Sequence, residues 1–238
     1  MIDTHCHLLW RIDDGPSSPM ASVDLARAMV EQGVDAALCT PHYSTRFPTR
    51  TAATRARFEE LGRSLAELGV PLRIALAAEV SSKLALSVPL EELRERSVGG
   101  FVVVELEPGA AAEVPVLVAE RLRGARLTTV FAHPERCRSV RFDPAALDEA
   151  RGGGALVQVV ASCLVGRWGR DVAEGGWALL DTGRADVLAS DAHTATGSVQ
   201  RLRQVVERVG LRYGREVVDE LTVRTPAEIL SLEPARSG

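Results

Sequence analysis

The chain has 238 residues, of which 46% are hydrophobic and 25% charged, and its formal net charge is −4 at pH 7. This length suffices for a sizeable core and predicts one domain over residues 1–238. The charge argues against a nucleic-acid-binding protein, which would need a basic stripe, and no apolar run approaches the about 18 residues needed to cross a bilayer.

Short apolar and β-branched runs alternate with helical patterns along the whole chain. The predicted strands cover residues 2–7, 34–39, 72–78, 101–105, 127–132, 155–160 and 186–189. Between them lie amphipathic stretches with apolar spacing near 3.6 residues, such as residues 21–33, 54–69 and 113–124, each ending at a glycine. This alternation predicts an α/β protein with a largely parallel sheet, and seven strands favour a distorted (β/α)7 TIM-like barrel over an open sheet.

One segment between these elements has no clear periodicity. Residues 41–55 contain two prolines and several hydroxyl residues and are predicted to form a long loop after the second strand. Long loops at this position often shape the mouth of an active site.

Histidines mark the ends of the predicted strands. The chain contains five, each at or just beyond the carboxyl end of a strand: His5, His7, His42, His133 and His193. Because these strand ends converge on one face of a barrel, we expect the five side chains to meet there. Strand alternation also directs the first two to the same side and Cys6 to the other.

Carboxylates occupy the same positions. Asp14 lies in the first βα loop, Glu79 and Glu105 each end an apolar run, and Asp191 follows the last strand. A carboxylate at the end of a buried strand needs a cation nearby. Nine nitrogen and oxygen donors at one pocket indicate two or three metal ions with positions open for water and substrate. The alternative, five structural histidines in loops, does not account for the carboxylates.

The cysteines favour no redox or thiol chemistry. Cys6, Cys39, Cys137 and Cys163 form no CxxC pair, and none has the arginine six residues later that a thiol phosphatase requires. We expect reduced thiols that serve as small core residues in a cytoplasmic protein, because a motif beginning at residue 5 leaves no room for a signal peptide.

Seven short motifs follow one another in a recognisable order: HCH, IDDG, TPH, AAE, VVVE, AHPER and SDAH. Their order resembles that of the PHP (polymerase and histidinol phosphatase) superfamily. The chain is most similar to the CpsB/CapC type of manganese-dependent protein-tyrosine phosphatase, encoded with bacterial capsule or exopolysaccharide genes. The resemblance runs the length of the chain and includes VQVVASCLVGRWG and TVRTPAEIL.

This resemblance implies a PHP-type barrel and a set of metal ligands. The implied ligands are His5, His7 and Asp191 for a first metal, Glu79 as a bridge to a second metal with Glu105 and His133, and Asp14, His42 and His193 for a third. Glu107 is an alternative to Glu105. Manganese is the implied metal, and iron or zinc would suit the same donors.

The implied reaction is hydrolysis of phosphotyrosine on a protein, such as the tyrosine-rich tail of a bacterial tyrosine autokinase. Metal ions can bind phosphate oxygens and generate a hydroxide that attacks phosphorus opposite the departing phenolate. Arg136, in AHPER, is expected to clamp the phosphate through two hydrogen bonds, although it could instead be a salt-bridge residue.

At three places the sequence departs from the family pattern, and these departures leave the identity of the substrate undetermined. Trp10 and Arg11 replace a usual Pro-Gly, Tyr43 replaces a frequent second histidine, and Arg201 is the nearest arginine to the loop after SDAH. We expect these positions around the substrate mouth, with Tyr43 and Arg201 as substrate contacts.

Four other functions compete with this interpretation. A small-molecule phosphatase, such as histidinol-phosphate phosphatase, would share the metal ligands. A nuclease would need a basic track, a non-catalytic regulator would have lost ligands, and a structural metal site would favour thiolates.

Overall fold

The computed structural model describes residues 1–232. Its strands are β1 (Ile2–Cys6), β2 (Ala36–Cys39), β3 (His42–Tyr43), β4 (Arg73–Leu76), β5 (Glu79–Ser81), β6 (Phe101–Glu105), β7 (Thr128–Ala132), β8 (Leu156–Val160) and β9 (Val187–Ala189). Its α-helices are α1 (Pro19–Glu31), α2 (Thr51–Glu67), α3 (Ser82–Ser87), α4 (Leu90–Glu95), α5 (Val114–Gly124), α6 (Arg138–Phe142), α7 (Asp148–Gly152), α8 (Ala161–Leu164), α9 (Arg170–Asp181), α10 (Leu202–Tyr213), α11 (Arg215–Asp219) and α12 (Thr225–Ile229). Over the described range, no helix combines the length and apolar character that crossing a membrane would require.

The strands pair in parallel in two sheets, ordered β1-β2-β4 and β3-β5-β6-β7-β8-β9. Only residues 40–41 separate β2 from β3, and only residues 77–78 separate β4 from β5, so two strand paths pass from one sheet into the other. A parallel bridge between Cys6 and Ala192 joins β1 to the segment after β9. The seven strand paths thus close into a distorted barrel, which confirms the predicted fold class.

The predicted loop over residues 41–55 is shorter than expected. Residues 42–43 form β3 and α2 already begins at Thr51, which leaves residues 44–50 as the loop. The short strand forms because His42 and Tyr43 pair in register with Glu79 and Val80 of β5. This pairing is a non-local contact that the local pattern does not reveal, and it brings His42 beside Glu79.

Alternation along the strands separates the barrel interior from the helical layer. On β6, Val102 and Val104 pack in the larger core, which includes residues of the surrounding helices, whereas Val103 joins a smaller cluster with residues of other strands. Ile229 of α12 packs in the smaller cluster. Because side chains alternate, Glu105 shares the face of Val103 and follows it toward the carboxyl end of the strand.

The four cysteines are buried and form no disulfide. The thiol of Cys6 donates a hydrogen bond to the carbonyl of Leu38, in a core shared with Cys39. This position agrees with the prediction that these cysteines act as small core residues.

Candidate metal centre

All nine predicted ligand residues lie at one end of the barrel. Five of them line a cavity of about 500 Å³: Asp14, His42, Glu105, Asp191 and His193. The other four are buried: His5, His7, Glu79 and His133. The strand-end pattern in the sequence therefore corresponds to one three-dimensional cluster.

Within this cluster, donor atoms form four groups in which all atoms lie within 4.8 Å of one another. The groups are His5, His7 and Asp191; His5, Glu79 and His133; His42, Glu79 and Glu105; and His7, Asp14, His42 and His193. The first group has the members of the expected first ligand set, and the last group contains the expected third set together with His7. The expected second set is divided between two groups, and the carboxylate of Glu79 belongs to both.

Glu79 lies at the centre of the cluster. Its Oε1 atom is 2.7 Å from Nε2 of His133. Its Oε2 atom is 3.4 Å from Nε2 of both His5 and His7 and 2.7 Å from Nδ1 of His42. Yet this buried oxygen accepts no hydrogen bond of good geometry within the described residues. Buried polar atoms normally have a partner, so a divalent cation fits this crowded set of nitrogen and oxygen donors.

The electrostatics of the cluster also suit cation ligands. Burial opposes the charge on Glu79, but the nearby His5, His133 and His42 hold the pKa of this carboxyl well below its usual range. Burial and the charge of Arg136 lower the pKa of His133 to about 4. At pH 7 the cluster therefore offers an ionised Glu79 carboxylate and a neutral His133 imidazole, the forms that bind metals. Burial opposes the charge on His5, His7 and His42, but nearby carboxylates raise the pKa of each, so metal binding would release protons from these rings.

Two further carboxylates differ in their protonation. Burial and the neighbouring Glu79 raise the pKa of Glu105 to about 7. The contact with His193 lowers the pKa of Asp14 to about 2. Glu105 is thus only partly ionised at neutral pH unless a cation is bound nearby, whereas Asp14 is ionised without one.

Two residues that sequence reasoning missed orient the first histidine pair. Oδ2 of Asp13 accepts a hydrogen bond from Nδ1 of His7 at 2.7 Å, and Oε1 of Gln158 accepts one from Nδ1 of His5 at 2.7 Å. Both rings then direct Nε2 toward Glu79, and these two atoms lie 3.3 Å apart. Such partners fix the tautomer of metal-binding histidines. The sequence signals were the first aspartate in IDDG and a lone polar residue in the strand LVQVV.

The backbone is unusual at two candidate ligands. His133 has φ 34° and Asp191 has φ 52°, both in the left-handed region that non-glycine residues rarely adopt. Glycine is required nearby as well, because a Cβ atom at Gly15 would lie 2.6 Å from the carbonyl oxygen of His7. Strain of this kind concentrates at functional sites.

Arg136 lines the cavity and also forms an ion pair. Its Nη2 donates to Oδ2 of Asp191 at 2.5 Å and its Nε donates to the thiol of Cys163 at 3.4 Å. Its guanidinium carbon lies 4.0 Å above the ring of Trp168. Burial disfavours the charge, but Asp191 raises the pKa of Arg136 above its usual value. Nη1 has no hydrogen-bond partner among residues 1–232, so the salt bridge and a phosphate contact are compatible.

Glu105 and Glu107 have different environments. The carboxylate of Glu105 lies with those of the metal-ligand candidates. Glu107 accepts hydrogen bonds from the hydroxyl of Ser82 and, at 3.3 Å, from the backbone N–H of Lys83. The geometry therefore favours Glu105 as the ligand candidate.

Two predicted substrate contacts require correction, since neither Tyr43 nor Arg201 lines the cavity. The hydroxyl of Tyr43 donates to Glu92, and the guanidinium of Arg96 lies 3.8 Å above its ring. The Tyr43 side chain points away from the cavity because successive side chains on a strand alternate, and the preceding residue, His42, lines the cavity. Arg201 is exposed on the short 3-10 helix Ser198–Arg201.

Trp10 is not at the mouth either, because it is only 3% exposed and belongs to the core. The side chains at the mouth that sequence reasoning missed are Arg46, Lys83, Arg167 and Trp168.

Comparison with known proteins gives a consistent result along the whole chain. The family model for capsular polysaccharide synthesis, CpsB/CapC, matches residues 1–231. The tyrosine-protein phosphatase YwqE of Bacillus subtilis is 27% identical over 228 residues, covering 93% of this chain and 89% of that protein. The putative tyrosine-protein phosphatase CapC of Staphylococcus aureus is 25% identical over 211 residues, covering 86% and 82%.

Solved structures share the fold. One solved structure has a TM-score of 0.85 at 24% identity, and the match covers 100% of this chain and 97% of the matched chain. It belongs to a set of crystal structures of YwqE from Bacillus subtilis and CpsB from Streptococcus pneumoniae, which are described as metal-dependent tyrosine phosphatases. A histidinol phosphate phosphatase of Lactococcus lactis, bound to zinc, L-histidinol and phosphate, has a TM-score of 0.54 at 13% identity, covering 88% and 95%. With the match over residues 1–231, the chain belongs to the CpsB/CapC family of capsular polysaccharide synthesis proteins.

Proposed function

We propose that this chain is a metal-dependent protein-tyrosine phosphatase. The observation that carries the proposal is the buried Glu79 carboxylate, which is surrounded by histidine nitrogens, together with a cavity that other ligand candidates and Arg136 line. Relatives named as tyrosine-protein phosphatases support the choice of substrate class.

The donor set fits two or three divalent ions, and we propose that manganese is the native metal. Histidine nitrogens and carboxylate oxygens make up all four groups, with no thiolate among them. The residues that would hold the ions are the nine ligand candidates, with Glu79 shared between positions. When bound, such ions offset the charge of a phosphate and lower the pKa of a coordinated water toward neutrality.

The chain's own residues bind and orient the substrate around that chemistry. Arg136 holds the phosphate through the Nη1 edge of its guanidinium, while its ion pair with Asp191 keeps the group in position. Asp13 and Gln158 hold the two histidine rings so that Nε2 of each faces the site. A tyrosine phenolate, with a pKa of about 10, leaves readily and needs little acid assistance.

We further propose that the substrate is the tyrosine-rich tail of a bacterial tyrosine autokinase, encountered in the cytoplasm. The support is the family's link to capsular polysaccharide synthesis together with the names of the relatives. A binding experiment with the phosphorylated kinase tail tests this partner directly.

A small-molecule phosphatase is the competing function. The fold is shared with a histidinol phosphate phosphatase, and a cavity of about 500 Å³ could accommodate such a ligand.

Hydrolysis assays with and without added Mn²⁺ distinguish the two functions. Mn²⁺-stimulated turnover of a phosphotyrosine peptide, with little turnover of histidinol phosphate, is the expected result. Preference for histidinol phosphate would replace the proposed function with its competitor.

A further inference from the structure

Three cationic side chains lie at the mouth of the cavity. Arg46 comes from the loop over residues 44–50, Lys83 from α3, and Arg167 from the segment between α8 and α9. All three are exposed. Lys83 is also the only lysine of the chain. Cations from three separate elements therefore surround one opening.

These cations have no carboxylate partners. Among residues 1–232, no carboxylate oxygen lies within 4.0 Å of the charged nitrogens of Arg46, Lys83 or Arg167, whereas Arg184 and Arg212 elsewhere pair with aspartates. The chain as a whole carries a net charge of −4. Unpaired positive charge around a concave opening in an acidic protein favours an anionic ligand.

Glu107 lines the same cavity but does not cancel this charge. Its carboxylate accepts hydrogen bonds from Ser82 and from the backbone N–H of Lys83, and it forms no ion pair with the lysine ammonium. The ammonium group thus stays available.

We propose that Arg46, Lys83 and Arg167 form a docking rim for an acidic peptide, with negative side chains on either side of the target phosphotyrosine. This inference rests on the proposed function and specifies its substrate class. The arrangement suits a peptide because the cations surround a pocket that admits one side chain. A nucleic acid would require a continuous basic stripe instead.

Two matched phosphotyrosine peptides test the rim. One carries Asp and Glu around the phosphotyrosine, and the other carries Asn and Gln at the same positions. We expect kcat/KM to favour the acidic peptide by about tenfold, the sum of three exposed ion pairs. The triple variant Arg46→Gln, Lys83→Gln, Arg167→Gln should lose the preference.

Arg63→Gln is the matched control, because Arg63 is exposed on α2 and does not line the cavity. It should keep the full preference. Turnover of p-nitrophenyl phosphate, which has no flanking residues, should decrease much less in the triple variant than turnover of the acidic peptide. The preference of the natural chain should also decrease as salt increases.

Equal kcat/KM values for the two peptides would contradict the proposed docking rim. A preference for the acidic peptide that remains in the triple variant would contradict it as well. Absence of any phosphotyrosine hydrolysis would overturn the proposed function instead. In that case fluorescence anisotropy with the same labelled peptides still decides whether the rim binds acidic sequence.

An independent observation concerns Trp168. Its side chain is 53% exposed at the cavity mouth, whereas Trp10 is 3% exposed and Trp177 donates its indole N–H to the carbonyl of Leu164. Trp168 is also next to the candidate phosphate-binding residue, since the Arg136 guanidinium lies 4.0 Å above its ring. A phosphate held by Arg136 would place the alcohol part of the ester beside this indole.

We infer that Trp168 is a specificity residue that favours aryl over alkyl phosphates, again on the basis of the proposed function. A tyrosyl ring can pack against the indole, and an aromatic pair adds favourable energy beyond the area that it buries. The side chain of a phosphoserine has no ring to make this contact.

The ratio of kcat/KM for matched phosphotyrosine and phosphoserine peptides tests the inference. We expect Trp168→Ala to lower this ratio about tenfold and Trp168→Phe to retain most of it. An equal loss for both peptides would mean that Trp168 only supports Arg136, and an unchanged ratio would exclude any role in selection. If neither peptide is hydrolysed, calorimetry with phenylphosphonate and methylphosphonate measures the same preference.

Discussion

Oδ2 of Asp13 lies 2.7 Å from Nδ1 of His7, and the same oxygen accepts the backbone N–H of His42 at 2.9 Å. One buried carboxylate thus holds two ligand candidates in position. Asp13→Asn would replace the acceptor with an amide and weaken this support. We expect metal affinity to decrease by about 10- to 100-fold.

Equilibrium dialysis with Mn²⁺ measures that affinity. Asp24→Asn, at an exposed position of α1, is the control and should leave it unchanged. If the Asp13→Asn variant bound Mn²⁺ as tightly as the natural chain does, this hydrogen bond would not support the metal site.

Arg136→Ala tests the phosphate contact. Loss of a charged hydrogen-bonding group should lower kcat/KM for a phosphotyrosine peptide by about 100-fold while the metal content stays the same. Arg136→Lys should recover only part of the activity, because an ammonium cannot contact Asp191 and a phosphate with the same planar geometry. Unchanged kcat/KM in Arg136→Ala would contradict the assigned role.

Glu105→Gln and Glu107→Gln together identify the ligand on β6. Glu105 shares a donor group with His42 and Glu79, whereas Glu107 is hydrogen-bonded at the start of α3. We therefore expect Glu105→Gln to lose bound metal and activity and Glu107→Gln to retain its metal. Metal loss confined to Glu107→Gln would reverse the assignment.

The raised pKa of Glu105 predicts a pH effect on the metal-free protein. Burial and Glu79 raise this pKa from the usual 4.5 to about 7, so the folded state binds the proton more tightly than the unfolded state does. The stabilisation from the protonated carboxyl is complete below about pH 4.5 and is lost as the pH rises through 7.

Glu105→Gln removes this titration. In the presence of a chelator, the Tm of the variant minus that of the natural chain should rise between pH 4.5 and 7 and then level off. A difference that is constant with pH would show that Glu105 does not titrate in this range.

Much of the site could be predicted from the sequence because of one property of parallel barrels. The carboxyl ends of the strands meet on one face, so a His, Asp or Glu at the end of each apolar run indicates a shared location. His133 after β7 and Glu105 at the end of β6 are examples. The positions of seven strands followed from the same alternation.

Contacts between distant residues could not be predicted in this way. Gln158 reaches His5 across 153 positions of the chain, and only the pairing of β8 with β9, together with the bridge between Cys6 and Ala192, brings it there. Tyr43 was expected at the mouth because it replaces a second histidine that is frequent in the family pattern, but pairing of β3 with β5 turns it toward Glu92. Arg167 and Trp168 reach the mouth through a loop whose path has no periodic signal.

We propose that Glu79 lies between bound metal ions on which hydrolysis of phosphotyrosine depends. Metal content of the purified chain and of Glu79→Gln, measured by inductively coupled plasma mass spectrometry beside phosphotyrosine peptide hydrolysis, tests it most directly. We expect two or three metal ions per chain with Mn²⁺-stimulated hydrolysis, and loss of both bound metal and hydrolysis in the variant. Two results would rule this out. One is a natural chain that holds no metal and whose hydrolysis is unaffected by Mn²⁺ or by a chelator. The other is a Glu79→Gln variant that keeps both its metal and its activity.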